Sequence, residues 1–292
     1  MQTEEAQKSL DIRDDGVTYV ENNITTLSKG SIGDRLNETL AIFAKHFRRF
    51  AVMGLVVYVP VNLLSLIGPT SQLTLYMDPR NVSGSEIAFY FLVGFINLIA
   101  LTIVYSAAVS AVGQHYVSGQ LNLKACYSRV WWRILSLLSV MFVLAVGVLI
   151  GTAAYILVVP IFVMVWLLVY GSMAPQIVII ERMKPTSALK KSLQLVRGNW
   201  WRVFGMQVVL MLILIGLAIV ALLPLALMSG PSFAVGAPIV NWFVQYLTSL
   251  LANLVTAAIA AIAVTLLYFD LRVRKENYDV KTLTREMGFS LA

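Results

Sequence analysis

The stretch "KKSLQLVRGNWWRVFG", residues 190–205, joins a basic amphipathic segment to a long apolar one. Its first part spaces apolar residues as a helix does, which is typical of a short helix lying on a membrane surface. Gly198 permits a sharp bend at low steric cost, and the Trp-Trp-Arg sequence at 200–202 is typical of an anchor at the membrane border. We call this unit, a short amphipathic helix, a break and an anchor leading into an apolar run, an elbow.

Uncharged runs lie on both sides of this elbow, in a chain that is 59% hydrophobic and only 13% charged. Lys, Arg, Asp and Glu are all missing from four stretches, residues 50–77, 87–123, 134–180 and 203–269. A helix needs about 20 apolar residues to cross a bilayer, so the last two stretches each hold two crossings. The sequence therefore predicts six transmembrane helices, at about residues 50–69, 87–113, 134–153, 158–180, 203–228 and 239–270.

Basic residues are distributed asymmetrically about these helices. Of the 22 Lys and Arg residues, all but Arg80 fall in the tails or in the loops on one side of the predicted bundle. Because loops rich in Lys and Arg stay in the cytoplasm, we expect both termini to be cytoplasmic in a bacterial inner membrane. The net charge of +7 comes from that side, so it gives no reason to expect nucleic acid as a partner.

Elbows recur before the first and third predicted helices, as "LNETLAIFAKHFRRFAVMG" at 36–54 and "LNLKACYSRVWWRILS" at 121–136. We therefore expect an all-α, polytopic membrane bundle of six transmembrane helices with three short interfacial amphipathic helices, arranged as three pseudo-repeated units. Residues 31–279 form this membrane domain. A disordered cytoplasmic tail at 1–30 precedes it, and a cytoplasmic tail at 280–292 follows it.

Three motifs give the chain a resemblance to a known family. They are "SIGDRLNETLAIFAKHF" at 31–47, "APQIVIIERMKPTSALKKSLQLVRGNWWRVFG" at 174–205 and "LLYFDLRVRKENYD" at 266–279. Together they resemble the membrane domain associated with glycerophosphoryl diester phosphodiesterases and related bacterial multi-pass membrane proteins. The resemblance spans residues 31–279. It implies a membrane domain without the catalytic barrel to which that domain can be fused, and it supplies no site residues.

Residues that could carry chemistry are scarce and scattered. A metal or hydrolytic site needs clustered His, Asp and Glu, but the chain has only two histidines, His46 in the first elbow and His115 beyond the second predicted helix. We expect both to be packing residues, and Cys126 to lie unreactive on the apolar side of its helix. Charged residues inside membrane spans are the usual sign of an ion or proton pathway, and the apolar runs contain none. The sequence therefore predicts neither an enzyme nor a cofactor.

Two functions remain open. The first is a non-enzymatic integral membrane protein, a lipid-engaging scaffold or an accessory subunit of a membrane assembly. The alternative is a transporter or exporter of a lipidic or hydrophobic solute. Expected partners are membrane lipids, anionic ones among them, and a membrane protein or a second copy of the chain.

The candidate residues for contact with anionic lipid or for docking lie in the third elbow and after the last predicted helix. They are Lys190, Lys191, Arg197, Trp200, Trp201, Arg202, Asp270, Arg272 and Arg274. For the last three, one interpretation is a solvated helix end held by weak (i, i+4) pairs. The other is a docking site for the neighbouring surface helices or for anionic lipid.

Overall fold

The computed structural model describes residues 31–67, 83–119, 121–153, 158–228, 238–276 and 278–288. This part of the chain is helical and contains no strand. Its helices are α1 (Ile32–Lys45), α2 (Phe47–Ile67), α3 (Gly84–Ser118), α4 (Leu123–Trp131), α5 (Ile134–Ala153), α6 (Val158–Gly171), α7 (Ala174–Ile180), α8 (Pro185–Val196), α9 (Trp200–Met228), α10 (Pro238–Glu276) and α11 (Val280–Glu286).

Several of these helices have the length and apolar character of membrane spans. Five segments qualify by themselves: Phe47–Leu64, Gly84–Ser118, Phe162–Ile180, Trp200–Val220 and Tyr246–Glu276. A sixth candidate is the pair α4 and α5, which bends by 73° at the break between its two helices. The described chain therefore has the architecture of a helical, multi-pass membrane protein, as the uncharged runs predict.

All three predicted surface helices are present, and each directly precedes a long helix. α1 leads into α2, α4 into α5, and α8 into α9. At the second elbow the 73° bend sets α4 nearly across α5, which agrees with the expected turn from the membrane surface into the bilayer. At the third, Gly198 has a φ of +87°, a conformation that a residue with a Cβ rarely adopts.

One face of α8 is buried in protein. Ala188, Ser192, Leu195 and Val196 are buried along it, and Ser192 Oγ donates to the carbonyl oxygen of Tyr170 at 2.5 Å. α8 packs against α6 and α7. The amphipathic pattern predicts that this face lies in the headgroup layer. In the structure it packs against protein instead and holds the short helix to the bundle.

The fourth predicted crossing, 158–180, is not one continuous helix. α6 ends at Gly171 and α7 begins at Ala174. Pro175, in the first turn of α7, has no N–H to donate to the carbonyl of Gly171 and its ring would clash with that carbonyl, so the helix is interrupted. Other boundaries move by a few residues; α3, for example, continues beyond its predicted end to Ser118.

α10 is the central helix, packed against α1, α2, α3 and α9. The approach to α2 is close, since a Cβ on Gly54 would lie 2.9 Å from Cγ of Leu254. α10 also extends beyond the predicted sixth crossing, which ends at about residue 270, and continues to Glu276. Its charged end lies together with α1, α4, α8 and α11 at one end of the bundle, which we call the elbow face.

The predicted tail at 280–292 contains a docked helix. Asp279 begins α11, because its Oδ1 accepts from the backbone N–H of Thr282 at 2.9 Å. Leu283 and Met287 are each 1% exposed, and the Met287 side chain lies against Gly113 of α3. The predicted tail at 1–30, the loop that holds Arg80 and the loop at 229–237 lie outside the described residues.

Candidate functional site

A buried carboxylate marks the centre of the elbow face. Asp270, the first charged residue after the apolar run of α10, is fully buried. Its Oδ2 accepts from Nε of Arg202 at 2.9 Å and from Nε of Arg274 at 3.1 Å. Its Oδ1 lies 3.9 Å from Nη2 of Arg35. Because these arginines belong to α9, α10 and α1, a single carboxylate joins three helices.

Arg272, two residues further along α10, is surrounded by acceptors and is only 4% exposed. Its Nη1 donates to Oε2 of Glu286 at 2.7 Å, and its Nε donates to Oε2 of Glu276 at 2.7 Å. The guanidinium carbon also lies 3.6 Å from the centre of the Tyr278 ring, a cation–π contact. Since Glu286 is in α11, this arginine fastens the C-terminal helix to α10.

Glu181, directly after α7, is a second carboxylate at the end of an apolar run. Its Oε2 accepts from Nζ of Lys191 at 2.5 Å, and its Oε1 accepts from the Tyr268 hydroxyl at 2.7 Å. Lys275 Nζ donates to the carbonyl oxygen of Arg197, at the C-terminal end of α8, where the helix dipole favours a positive charge. These contacts fix α8 to α7 and α10.

The structure divides the predicted site residues into two groups. Five take part in the ion pairs of the elbow face: Lys191, Arg202, Asp270, Arg272 and Arg274. Lys190 and Arg197 are exposed, and Trp201 is 78% exposed. Trp200 instead stacks on Phe204, with ring centres 4.9 Å apart. The interpretation as a solvated helix end is wrong for Asp270 and Arg272, because both are buried.

Five residues of these ion pairs were not among the predicted site residues: Arg35, Glu38, Glu181, Glu276 and Glu286. Glu181 had a signal in the sequence, since it and Asp270 are the first charged residues after the two longest uncharged runs. A carboxylate in that place lies at the membrane border among basic residues, where it is expected to pair. The pairs of Arg35 with Asp270 and of Glu286 with Arg272 had no such signal, because no local sequence spacing joins their members.

The two histidines of the chain lie in contact. His46 occupies the break between α1 and α2, and its Nε2 lies 3.1 Å from Nδ1 of His115. Both rings are buried. Burial, followed by the charges of Lys45 and Arg49, lowers the pKa of His46. A neutral pair that shares one N–H···N hydrogen bond fits this arrangement. Among the described residues, no three His, Cys, Asp or Glu side chains are grouped so as to hold a metal ion.

An apolar groove of about 540 Å³ lies between α5, α6 and α9, along the apolar part of these helices. Leu144, Leu168 and Leu214 are among the side chains that line it. Gln207 also lines the groove, and it forms no hydrogen bond within the part of the chain that the structure describes. The groove therefore combines an apolar wall with one amide that is available to a ligand.

Comparison of the chain with protein-family models, with curated proteins and with solved structures finds no match. The resemblance to the membrane domain of glycerophosphoryl diester phosphodiesterases stays a prediction from three motifs.

Proposed function

We propose that this chain is a non-enzymatic integral membrane protein that engages anionic lipids through the elbow face, as a scaffold or an accessory subunit of a membrane assembly. The observation that carries the proposal is the charge balance of that face. Its described carboxylates are bound within the fold, either in ion pairs or in helix caps: Asp34, Glu38, Glu181, Asp270, Glu276, Asp279 and Glu286. Arg48, Arg49, Lys190, Arg197 and Arg285 are exposed. A surface of that kind attracts anionic headgroups.

Exposed aromatic side chains support contact with the headgroup layer. Trp131 and Trp132 are 72% and 85% exposed at the second elbow, and Trp201 is 78% exposed at the third. Tryptophan prefers the membrane border, where its ring meets the acyl chains and its N–H meets polar groups. The same Trp-Trp-Arg sequence at two elbows also supports a repeated unit of one short helix and two crossings.

The position of the chain ends supports six crossings. Arg35, near the start of the described chain, lies beside Asp270, and Glu286, near its end, binds Arg272. Both ends thus lie at the elbow face, which is the arrangement expected of an even number of crossings. We infer that α4 and α5 together supply the sixth span, with α4 in the interface, and that the basic elbow face lies in the cytoplasm of a bacterium.

Lipid enrichment tests this proposal. The protein is extracted in mild detergent from membranes of mixed phosphatidylcholine and phosphatidylglycerol, and the lipids that purify with it are quantified. We expect enrichment of phosphatidylglycerol over its share in the membrane, and loss of that enrichment in a variant with Arg48, Arg49, Lys190 and Arg197 changed to Gln. Lys191→Gln is the control, because Lys191 is bound to Glu181 and its loss should lower stability rather than lipid preference. Equal proportions in the wild type and in the membrane would refute the proposal.

The groove beside α9 favours transport of a lipidic solute as a second candidate function. A transport path needs a cavity at membrane depth with a few placed polar groups, and Gln207 in the groove of about 540 Å³ provides one. Reconstituted vesicles loaded with a fluorescent lipid analogue distinguish the two functions. Protein-dependent movement that is lost in Gln207→Leu favours transport, whereas movement equal to that in empty vesicles eliminates it.

A further inference from the structure

Two elbows carry the same Trp-Trp-Arg sequence, at 131–133 and 200–202, but their arginines have different surroundings. At the third elbow Arg202 donates to the buried carboxylate of Asp270 at 2.9 Å, so its charge is neutralised inside the protein. At the second elbow Arg133 forms no ion pair within the described part of the chain. The two anchors therefore differ in the presence of an internal counter-charge for the arginine.

Other arginines lie beside Arg133. The backbone N–H of Arg133 donates to the carbonyl oxygen of Val130 at 2.9 Å, so Arg133 lies one turn beyond Arg129. Burial, and next the charge of Arg182, lower the pKa of Arg133. Arg129 and Arg182 both donate through Nη2 to the carbonyl oxygen of Met287, at 3.0 and 3.1 Å. From those two distances, the two Nη2 atoms are no more than about 6 Å apart. Arg129 of α4 and Arg182 of the loop after α7 thus converge at the end of α11, with Arg133 one turn beyond Arg129.

The nearest carboxylates in the sequence are engaged elsewhere. Glu181, beside Arg182, accepts from Lys191 and Tyr268, and Glu286, beside Met287, accepts from Arg272. Within the described residues, no ion pair joins a carboxylate to Arg133 or Arg182. Like charges repel one another, and an anion bound between these two arginines removes that repulsion.

The backbone around Arg182 is adapted to hold its side chain in this place. Arg182 has a φ of +58°, a left-handed conformation that is strained for a residue with a Cβ. Gly288 leaves room for the guanidinium, since a Cβ there would lie 2.5 Å from Nη2 of Arg182. Strain of this kind persists where the surrounding structure fixes it and is common at ligand sites.

The position and chemistry of the cluster indicate its ligand. The planar fork of arginine matches the oxygens of a phosphate group. Trp131 and Trp132, adjacent to Arg133 and largely exposed, place the cluster at headgroup depth. We propose that Arg133 and Arg182, with Arg129 beside them, bind a phosphate group, and that its source is the headgroup of a membrane phospholipid. This inference rests on the proposed lipid engagement of the elbow face and gives it a specific site.

Native mass spectrometry after delipidation in detergent tests the site, because it counts the phospholipids that remain bound. We expect the wild type to retain phosphatidylglycerol, and Arg133→Gln/Arg182→Gln to bind it about thirtyfold more weakly, at about 1 kcal/mol for each charge. The matched control is Lys124→Gln/Lys281→Gln, which removes the same charge from exposed positions of α4 and α11 and should retain lipid as the wild type does. Arg133→Gln alone, which disturbs no hydrogen bond within the described chain, guards against a folding defect.

Thermal unfolding with inorganic phosphate distinguishes the source of the phosphate group. One outcome is that phosphate stabilises the wild type but not Arg133→Gln, while no phospholipid is retained. That result supports the arginine site, but it refutes both the lipid source of the phosphate group and the proposed function. A second outcome is that the wild type enriches phosphatidylglycerol, but Arg133→Gln/Arg182→Gln retains as much of it as the wild type does. That result overturns the arginine site and leaves the proposed function standing. If the wild type neither retains phospholipid nor is stabilised by phosphate, both the arginine site and the proposed function are refuted.

Discussion

At the scale of single residues, Asp270 is a buried charge of the elbow face on which three helices converge. It is fully buried and its partners Arg35 and Arg202 are 2% and 25% exposed, so neutralising it removes a buried counter-charge from both arginines. We expect Asp270→Asn to lower the free energy of unfolding by about 3–5 kcal/mol. Thermal unfolding in detergent, followed by size-exclusion chromatography of the remaining folded protein, measures the loss.

Glu276→Gln is the control for that prediction. Glu276 also pairs with Arg272, at 2.7 Å, but its side chain is 34% exposed and Arg272 keeps Glu286. Water screens such a pair, so its loss should cost about 1 kcal/mol or less. Equal destabilisation by the two substitutions would show that burial of Asp270 adds nothing to the strength of its ion pairs.

The histidine pair predicts a dependence of stability on pH. Burial lowers the pKa of His46 in the folded protein below its usual 6.5, so the unfolded chain binds the proton more readily. Stability is therefore complete above the unfolded pKa and is lost as the pH falls through it toward the folded one. We expect the melting temperature to fall between about pH 7 and pH 5, and the fall to be smaller in His46→Gln/His115→Gln. An identical pH profile in that variant would contradict the prediction.

The local ion pairs of α10 could be predicted from sequence, whereas the long-range ones could not. Asp270 with Arg274, and Arg272 with Glu276, have (i, i+4) spacing, and both pairs are present in the structure. The pairing of Asp270 with Arg35 depends on how α1 packs on α10, and no local pattern encodes that packing. For the same reason the sequence predicted lipid contact for Arg202, which is bound inside the protein.

At the scale of the secondary-structure elements, the elbow depends on Gly198. Its φ of +87° suits glycine, and an added Cβ would meet no atom within 4 Å, so only backbone strain opposes substitution. We expect Gly198→Ala to destabilise the protein by about 1–2 kcal/mol. Gly216→Ala, inside α9 and equally free of close contacts, should be neutral or stabilise by up to about 1 kcal/mol. Melting temperatures that shift in the same direction for both variants would contradict the assigned bend.

The C-terminal helix α11 should contribute to stability although it is short. A chain that ends at Glu276 loses Glu286, the partner of Arg272 at 2.7 Å, and uncovers the surface around Gly113. We therefore expect a lower melting temperature in detergent. A chain that ends at Gly288 keeps α11 and should melt as the full chain does. If both truncated chains melt alike, the docking of α11 has no energetic importance.

The helices themselves were largely predictable, because their signals are local. Uncharged length indicates the spans, and Pro175 and Gly198 mark a break and a bend. The docking of α11 was not predicted, since its sequence is polar and reads as a tail. Only the packed structure shows that Leu283 and Met287 are buried beneath it.

At the scale of the whole molecule, the ion pairs and the basic surface belong to the same end of the bundle. The carboxylates that join α1, α7, α8, α10 and α11 are neutralised in ion pairs within the fold. Other basic residues, such as Arg48 and Lys190, remain exposed on the surface. This division of roles follows from three-dimensional packing, so the sequence could predict a basic side of the membrane but not which basic residues are available to lipid.

The orientation of the elbow face is tested most directly by reporter fusions that signal the side of the membrane. If six crossings place this face in the cytoplasm, fusions after Lys184 and Ala292 report inside, and fusions after Arg80 and Ser232 report outside. Lys184 directly precedes α8 and belongs to the elbow face, whereas positions 80 and 232 lie between the spans at the opposite end of the predicted topology. An inside signal after Ser232, or an outside signal after Lys184, would contradict six crossings with a cytoplasmic elbow face, and with them the contact of that face with the anionic leaflet.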